Sequence, residues 1–333
     1  MDISGIIALL RTKLTLPHPS QTKDKTVLIT GANTGLGREA ARHALALGAA
    51  TVILGVRTLS KGEDAKADIE SSTGKTGRVL VWPVDLESFA SVKAFADRVK
   101  EHVAGGGRLD IAIMNAGLAS MEWAVTGDGW ERQIQVNVLS TALLCLELLP
   151  LLLKTGDRPH LTIVASDIHR TVKFEERSAD HILSALNDHS QWEKSQTIGG
   201  AGERYAVSKL LDIFISTELA RLAPRDESGN PLVIVNSLTP GFCKSDLLTR
   251  EKAPLLLRMV QSVVARTVEE GSKTFLHAAT QGSETHGLWL EHQAIADPGK
   301  NVTAPAQRAV GEKVWGEIVA VLKEVDSGIQ TEY

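Results

Sequence analysis

Short apolar runs alternate with longer amphipathic stretches along most of the chain. The apolar runs are rich in β-branched residues and comprise Thr26–Thr30, Thr51–Val56, Val79–Pro83, Ile111–Asn115, Leu161–Ala165 and Val233–Leu238. Nearly continuous runs of this length are typical of strands buried on both faces of a parallel sheet. Helical patterns lie between them, at Arg38–Leu47, Ser88–Val103, Trp130–Leu153 and Ala206–Leu222. This alternation predicts a doubly wound α/β fold with a parallel sheet and helices on both of its faces.

One interval interrupts the alternation. Ser166, just after the fifth predicted strand, and Tyr205, at the start of the next helical pattern, are 39 positions apart. Connections of this length are usually functional or contain helices of their own. We therefore predict an insertion over about 170–203 that lies across one edge of the sheet. The expected organisation is an N-terminal extension, 1–24, followed by a single domain over 25–333.

The composition is that of an ordinary globular protein. The 333 residues are 43% hydrophobic, and 36 basic and 40 acidic side chains give a net charge of −4. A mildly acidic chain without a basic run lacks the electrostatic footprint of a nucleic-acid-binding protein. The two cysteines, Cys145 and Cys243, cannot form a disulfide framework or a structural zinc site. These features predict a reducing, cytoplasmic setting and no metal.

The apolar segment Ile3–Leu10 is too short to span a membrane, because a span needs about 20 residues. It also lacks the basic residues that precede the apolar part of a secretory signal, since Asp2 comes before it and Arg11 after it. We expect a short surface helix here, and contact with a membrane surface is the alternative.

A glycine-rich turn follows the first predicted strand directly. It contains Thr30-Gly31-Ala32-Asn33-Thr34-Gly35-Leu36-Gly37-Arg38 and leads into a predicted helix. Glycine permits the unusual dihedral angles of such a turn and lets backbone N–H groups approach a pyrophosphate, which the helix N-terminus also favours. Because strand, turn and helix occur in the order that a Rossmann-type sheet requires, we predict a dinucleotide site at this turn.

The end of the second predicted strand indicates which dinucleotide is bound. An NAD-binding protein usually places a carboxylate about 20 residues after the turn to hold the ribose. Here that position is Arg57, with Arg38 in the turn and Lys61 one helical turn further on. Guanidinium and ammonium groups suit a 2′-phosphate, so we predict NADP(H). The alternative is that these three residues are solvated surface charges.

Tyr205 and Lys209 are four residues apart in a helical pattern and therefore share one face of a helix. A phenol with a pKa near 10 is a poor acid or base at neutral pH, but a neighbouring ammonium group favours the phenolate. Such a pair lets tyrosine act as general acid in reduction and general base in oxidation. The alternative is a core tyrosine beside a solvated lysine.

Taken in order, these motifs resemble the short-chain dehydrogenase/reductase family. Besides the G-x-x-x-G-x-G turn and Tyr205-x-x-x-Lys209, the chain contains Asp85-Leu86, Asn115-Ala116-Gly117, Asn137, Ser166 and Pro240-Gly241 at the family's places. The resemblance spans roughly residues 25 to 245. It implies an oxidoreductase in which hydride moves to or from nicotinamide C4.

The resemblance also implies roles for single residues. Ser166 would hydrogen-bond the substrate carbonyl, Lys209 would also bind the nicotinamide ribose, and Asn137 would hold a water in the proton relay. The adenine and turn contacts would come from Asp85, Leu86, Asn115, Ala116 and Gly117. From the residues alone, Ser166 could equally be a strand-end cap, and Asn137 an ordinary polar residue of a helix.

Two features depart from the common family pattern. The long interval before Tyr205 resembles the retinol-dehydrogenase-like branch and the fungal reductases of secondary metabolism close to it. After Pro240-Gly241, the chain has Cys243-Lys244-Ser245 where the family often has V-x-T. In this arrangement Ser245 would keep the hydroxyl contact to the carboxamide, and Cys243 would contact the nicotinamide edge.

The regions expected to face the substrate are mostly apolar. They contain Met121, Trp123, Phe174, Trp192, Phe242, Leu247 and Leu256. We therefore expect a hydrophobic carbonyl or alcohol substrate, such as a polyketide or terpenoid intermediate. The alternatives are a retinoid-, steroid- or lipid-type dehydrogenase and a non-catalytic protein that senses NADP(H). The sequence leaves the oligomeric state open.

Overall fold

The computed structural model describes residues 12–154, 158–199, 202–244 and 265–333. Four features predicted above, Ile3–Leu10, Ser245, Leu247 and Leu256, lie outside these ranges. The described strands are β1 (Thr26–Thr30), β2 (Thr51–Val56), β3 (Val79–Pro83), β4 (Ile111–Met114), β5 (His160–Val164), β6 (Ile234–Leu238), β7 (Trp289–Glu291) and β8 (Ala294–Ile295). They form one sheet in the order β3-β2-β1-β4-β5-β6-β7-β8, and only the β7–β8 pair is antiparallel among them.

The described α-helices lie between and after these strands. They are α1 (Gly35–Ala46), α2 (Leu59–Thr73), α3 (Phe89–Ala104), α4 (Ser140–Leu152), α5 (Ile182–Leu186), α6 (His189–Gly199), α7 (Glu203–Leu222), α8 (Val268–Ala278), α9 (Lys300–Thr303) and α10 (Pro305–Val325). The predicted doubly wound α/β fold is confirmed. Strand order changes direction between β1 and β4, which is the place where ligands bind in open sheets of this kind.

Neighbouring residues of β1 point to opposite faces of the sheet, as the strand period of two requires. Leu28 belongs to an apolar cluster that also contains Leu143 of α4 and Phe214 of α7. Val27 belongs to a second cluster, together with Phe275 of α8. The sheet is therefore covered on both faces, which explains why its strands are apolar throughout.

The segment predicted as helical over Trp130–Leu153 is helical over 132–152, but it is not one regular α-helix. A π-helical segment, Ile134–Leu139, comes first, and α4 continues from it. Together, Ile134–Leu152 is long and apolar enough to cross a membrane, yet 89% of it is buried inside the protein. This segment therefore has the burial of a core helix.

The predicted insertion contains two short 3₁₀ helices, Asp167–Thr171 and Glu175–Ser178, and then α5 and α6. The Glu203 carboxylate accepts the backbone N–H groups of Lys173 and Phe174 at 2.6 and 3.0 Å. Phe174 is only 1% exposed and packs in the larger apolar cluster. The expectation that Phe174 faces the substrate is therefore wrong, because the insertion folds this side chain into the core.

Candidate active site

The glycine-rich turn lies at the carboxyl end of β1 and leads into α1. Gly31 and Gly35 have φ angles of 66° and 59°, which favour glycine. A Cβ atom on Gly37 would lie 2.7 Å from the Gly31 carbonyl oxygen and 2.6 Å from the side-chain nitrogen of Asn115. The predicted ligand-contacting residues Asn33, Thr34 and Leu36 lie in the same turn. The turn thus brings bare backbone to the N-terminus of α1, where an anion is favoured.

Asn115 connects this turn to the end of β4. Its side-chain nitrogen donates to the carbonyl oxygens of Thr30 and Gly31, at 2.8 and 3.3 Å. The Thr30 hydroxyl oxygen in turn accepts the backbone N–H groups of Asn115 and Ala116, at 3.1 and 3.0 Å. Two sequence motifs that lie far apart in the chain are therefore held together as one rigid ligand-facing edge.

Arg57 lies directly after β2, and 66% of its side chain is exposed. Its guanidinium is 2.9 Å from a carboxylate oxygen of Glu87. The Asp85 carboxylate accepts the backbone N–H of Glu87 at 3.0 Å, which orients this loop. Lys61 is also exposed, on α2. An exposed ion pair of this kind is weak, so Arg57 can exchange Glu87 for a phosphate.

Arg38 occupies the start of α1 and lies beside two carboxylates. It is 3.4 Å from Glu39 and 3.6 Å from Asp68. Arg42 approaches the same two carboxylates more closely, at 2.9 and 2.5 Å. Because Arg42 already compensates Glu39 and Asp68, Arg38 remains available to a further anion at the turn.

Tyr205 and Lys209 lie on α7, as their spacing predicts. The Lys209 Nζ atom is 5.8 Å from the centre of the Tyr205 ring. It donates to the carbonyl oxygen of Val164 at 3.0 Å and to the Asp212 carboxylate at 2.8 Å. No described group forms a hydrogen bond with the Tyr205 hydroxyl, which is therefore available to a substrate oxygen.

Asn137 lies in the π-helical segment, a deviation that is frequent at functional sites. Its side-chain nitrogen donates to the Leu118 carbonyl at 2.8 Å and to the Ser208 hydroxyl at 2.9 Å. Its side-chain oxygen accepts the Leu118 backbone N–H at 2.9 Å. A Cβ on Gly117 would lie 3.2 Å from that oxygen and 3.5 Å from Lys209 Nζ. Asn137 thus ties the loop after β4 to α7.

Ser166 follows β5 by two residues and caps the first 3₁₀ helix. Its hydroxyl oxygen accepts the backbone N–H of Ile168 at 3.4 Å, and the hydroxyl lies 3.4 Å from Asp167. Both contacts are long, so the hydroxyl keeps most of its bonding capacity. The buried His169 lies 2.6 Å from the Ser166 carbonyl oxygen and 2.6 Å from that of Pro298, which fixes the backbone beneath Ser166.

Comparison with known proteins decides the family. The sequence profile of the short chain dehydrogenase family matches residues 25–171. The short chain dehydrogenase atnD of Emericella nidulans is 45% identical over 287 residues, which cover 83% of this chain and 86% of that protein. The chain belongs to the short-chain dehydrogenase family.

Two further similarities concern the whole chain and the fold. The short chain dehydrogenase/reductase dmxR8 of Cryptosporiopsis sp. is 36% identical over 326 residues, covering 96% of this chain and 97% of that protein. A chain from Escherichia coli CFT073, described as a short chain dehydrogenase complexed with NADPH, is 22% identical with a TM-score of 0.61. The match covers 84% of this dehydrogenase and 100% of the Escherichia coli chain, and the two proteins share the same fold.

Burial raises the pKa of the Tyr205 phenol in this dehydrogenase; the Lys209 ammonium opposes this rise, while the Asp212 and Asp167 carboxylates add to it. Burial lowers the pKa of Lys209, but Asp212 and Tyr205 together raise that pKa overall. Burial raises the pKa of Asp212 to about 6, against the opposing effect of Lys209. At neutral pH the site therefore holds a neutral phenol beside a compensated ammonium group.

Cys243 lies just after β6 and faces α8. Its backbone forms a parallel bridge with Arg266, and a Cβ on Gly271 would collide with its Sγ atom. Burial raises the pKa of the Cys243 thiol to about 12, so the thiol stays neutral at physiological pH. Cys243 therefore packs as a small apolar group at this edge of the site, and Phe242 beside it is half-buried.

Aromatic side chains from two separate segments meet near the insertion. Trp123, in the loop after β4, lies 5.2 Å from the His189 ring and 6.0 Å from Trp192, both on α6. His189 and Trp192 are stacked, with their ring centres 5.9 Å apart. Met121 in the same loop is 40% exposed. Of the predicted substrate-facing residues, Trp123 and Trp192 are thus brought into one aromatic group.

Three residues that hold the predicted site residues in place were not predicted from the sequence to do so. Thr30 joins the turn to β4, Glu87 pairs with Arg57, and Asp212 pairs with Lys209. Asp212 could have been found, because a carboxylate three residues after Lys209 in an otherwise apolar helical stretch must share its face. The contact between Glu87 and Arg57 joins residues 30 positions apart, and no local sequence pattern predicts it.

Proposed function

We propose that this dehydrogenase uses NADP(H) to interconvert a ketone or aldehyde with an alcohol on a hydrophobic small molecule. The observation that carries the proposal is the Tyr205 phenol, which lies on one helix with a buried ammonium group and forms no hydrogen bond with a described group. A half-buried tyrosine in this setting is suited to proton transfer. The glycine-rich turn and the Ser166 hydroxyl supply the other two requirements, cofactor binding and orientation of a carbonyl.

The residues present fit a dinucleotide. A Cβ on Gly37 would collide with Asn115 and Gly31, and Gly117 approaches Asn137 and Lys209 closely, so both segments pack in a way that glycine allows. Asn33, Thr34 and Leu36 would contact the phosphates, and Asp85, Leu86, Ala116 and Gly117 the adenine and ribose groups. When bound, the cofactor supplies or accepts hydride at nicotinamide C4.

The choice of NADP(H) over NAD(H) rests on Arg57. No carboxylate ends β2, and Arg57, Arg38 and Lys61 provide positive charge around that position. Solved neighbours carry either cofactor: the Escherichia coli chain is complexed with NADPH, and a 3-ketoacyl-(acyl-carrier-protein) reductase from Brucella melitensis with NADH. The fold is therefore compatible with both, and the charge at Arg57 favours the 2′-phosphate.

In the proposed reduction, the Ser166 hydroxyl donates a hydrogen bond to the substrate carbonyl oxygen and Tyr205 delivers its proton there. The carbonyl carbon would take up the hydride that a bound reduced nicotinamide supplies, and the Tyr205 proton would complete the alcohol. Lys209 holds the nicotinamide ribose and stabilises the phenolate that remains. Since both ends of the Asn137 side chain are bonded within the protein, we assign Asn137 to holding the loop over Lys209. A relay water would be bound by other groups.

The substrate is proposed to be apolar and cyclic, in the manner of a polyketide or terpenoid intermediate. The support is the Trp123–His189–Trp192 group, the half-buried Phe242 and the fungal origin of the similar proteins. Flat aromatic rings offer large contact areas to such molecules. The two thiols, Cys145 and Cys243, are reduced, and we place the reaction inside the cell.

The proposal is tested by assaying consumption of NADPH with a panel of aromatic, alicyclic and straight-chain ketones, and by identifying the alcohol formed. The expected result is reduction of one hydrophobic class, with NADPH preferred to NADH. Thermal unfolding is followed in parallel, because a cofactor at 100 times its Kd adds about 2.7 kcal/mol of stability. A protein that neither consumes NADPH nor is stabilised by it would refute the proposal.

A further inference from the structure

Lys209 and Asp212 form a deeply buried ion pair on α7. Their charged groups are 2.8 Å apart, and the side chains are 6% and 2% exposed. The second oxygen of Asp212, Oδ1, is also buried and has no hydrogen-bond partner among the described residues. A buried carboxylate oxygen without a partner costs stability, so stabilising the fold does not explain why this pair is buried here.

The pair fixes the direction of the Lys209 ammonium. Of its three N–H donors, one reaches Asp212 and another reaches the Val164 carbonyl oxygen at 3.0 Å. The same nitrogen would lie 3.5 Å from a Cβ on Gly117, in the loop that we assign to the cofactor. Asp212 and Val164 thus accept two of the three N–H groups of the Lys209 ammonium, and the third N–H remains for the reaction site.

We propose that Asp212 is a positioning residue for the reaction, which holds the Lys209 ammonium in place and offsets its positive charge beside the Tyr205 phenol, so that the site is suited to carbonyl reduction. The inference rests on the proposed function, because it takes Tyr205 as the proton donor. Ketone reduction needs the neutral phenol at the start of each turnover, whereas alcohol oxidation by the same kind of enzyme needs the phenolate.

The charges around Tyr205 support this assignment. Burial is the largest cause of the raised pKa of Tyr205; the Lys209 ammonium lowers this pKa, and the Asp212 carboxylate offsets part of the Lys209 effect. Asp167, on the 3₁₀ helix after Ser166, acts in the same direction. Cys145, from α4, also faces Asp212, and burial raises the pKa of its thiol so that it stays uncharged. Among the described residues, Lys209 is the charged group that lowers the pKa of Tyr205.

The test measures ionisation of Tyr205 directly and needs no substrate. The chain has two tyrosines, so Tyr333→Phe leaves Tyr205 as the only phenol, and tyrosinate absorbance then reports its pKa. Adding Asp212→Asn should lower this pKa by about one unit, because a charge is removed about 10 Å away along the helix. The falling limb of the pH profile of kcat/KM for ketone reduction should move to lower pH by the same amount.

Three variants serve as controls in the same Tyr333→Phe background. Glu218→Gln removes a carboxylate from the same helix, one that pairs with Arg221, and should leave the Tyr205 pKa unchanged. Asp212→Glu restores the charge and should restore most of the parent pKa. Asp212→Ser removes the same charge and should lower the Tyr205 pKa in the same way. It replaces the Asn variant if circular dichroism shows that the Asn variant is poorly folded.

A Tyr205 pKa that stays unchanged or rises in folded Asp212→Asn and Asp212→Ser would overturn the assignment, even if the parent protein reduces ketones. A fall in the pKa together with a matching shift of the pH profile would support it. If the pKa falls but the parent protein reduces no ketone, the proposed function has failed, and the role of Asp212 in reduction fails with it.

Discussion

The side-chain nitrogen of Asn115 lies 2.8 Å from the carbonyl oxygen of Thr30, and this contact joins the ends of β4 and β1 beneath the glycine-rich turn. The same nitrogen would be 2.6 Å from a Cβ on Gly37. The turn and the Asn115 motif therefore form one unit, in which a change at Gly37 displaces Asn115 and the backbone that we propose faces the cofactor.

Gly37→Ala should weaken NADPH binding at least tenfold and lower the free energy of unfolding by about 1–3 kcal/mol, as overpacking does elsewhere. The added methyl meets the Gly31 carbonyl oxygen at 2.7 Å, and backbone cannot move aside cheaply. Fluorescence titration with NADPH and chemical denaturation measure the two effects. The control is Gly316→Ala on the exposed face of α10, which meets nothing within 4 Å and should leave both quantities unchanged or slightly raise stability.

Arg57→Asp should weaken NADPH binding at least tenfold more than NADH binding, because it replaces a phosphate-binding charge with a repelling one. Glu87→Gln removes the present partner of Arg57 and should leave NADPH binding equal or stronger. Arg308→Asp, an exposed charge reversal on α10, controls for a general charge effect. Isothermal titration with both dinucleotides measures the ratio. Equal losses for NADPH and NADH in Arg57→Asp would remove the basis for assigning NADP(H).

Glu176→Gln should destabilise the protein by about 3–5 kcal/mol, because Arg204 would be left charged in the interior. The two groups are 3.0 Å apart and both side chains are 1% exposed. Glu312→Gln is the matched control, since its pair with Arg221 has the same 3.0 Å distance but is more than half exposed. That change should cost about 1 kcal/mol or less. Denaturant unfolding compares the variants, and similar small losses in both would show that the insertion is held by other contacts.

Stability should fall as the pH drops below about 6.5, and His160 should cause part of this loss. Burial lowers the pKa of His160 to about 4, so between these values the unfolded chain binds a proton that the folded protein does not. The expected loss at pH 5 is about 2 kcal/mol relative to pH 7. Unfolding at both pH values measures it. His160→Gln should lessen the pH dependence, and the exposed His18→Gln should not.

Much of the sheet could be predicted because its strands are buried on both faces. The bounds of β1, β2 and β3 agree with the apolar runs residue for residue, β4 and β6 differ by one residue at one end, and β5 lies one residue earlier at both ends. By contrast, β7 and β8 have three and two residues, which is too short for any periodic pattern. The π-helical turn at Asn137 was missed because its sequence, Ile134–Leu139, contains no residue that distinguishes a π turn from a continuous α-helix.

At the site, the residues with a local motif were predicted and their partners were not. Tyr205 and Lys209 have a helical spacing, and the glycine turn has a strand before it and a helix after it. Phe174 was misassigned because an aromatic residue in a long insertion looks the same in sequence whether it faces a ligand or the core. Only its fixed contacts, such as the backbone bond to Glu203, distinguish the two.

The most direct test of the account is Tyr205→Phe, which removes one hydroxyl from the site and keeps the ring. We predict that ketone reduction falls by about 10²–10⁴-fold, as expected for loss of a general acid, while the thermal stabilisation by NADPH is retained. Tyr333→Phe is the identical substitution at the other tyrosine and should keep full turnover. Turnover near the parent rate in Tyr205→Phe would contradict the assignment of Tyr205 as the proton donor.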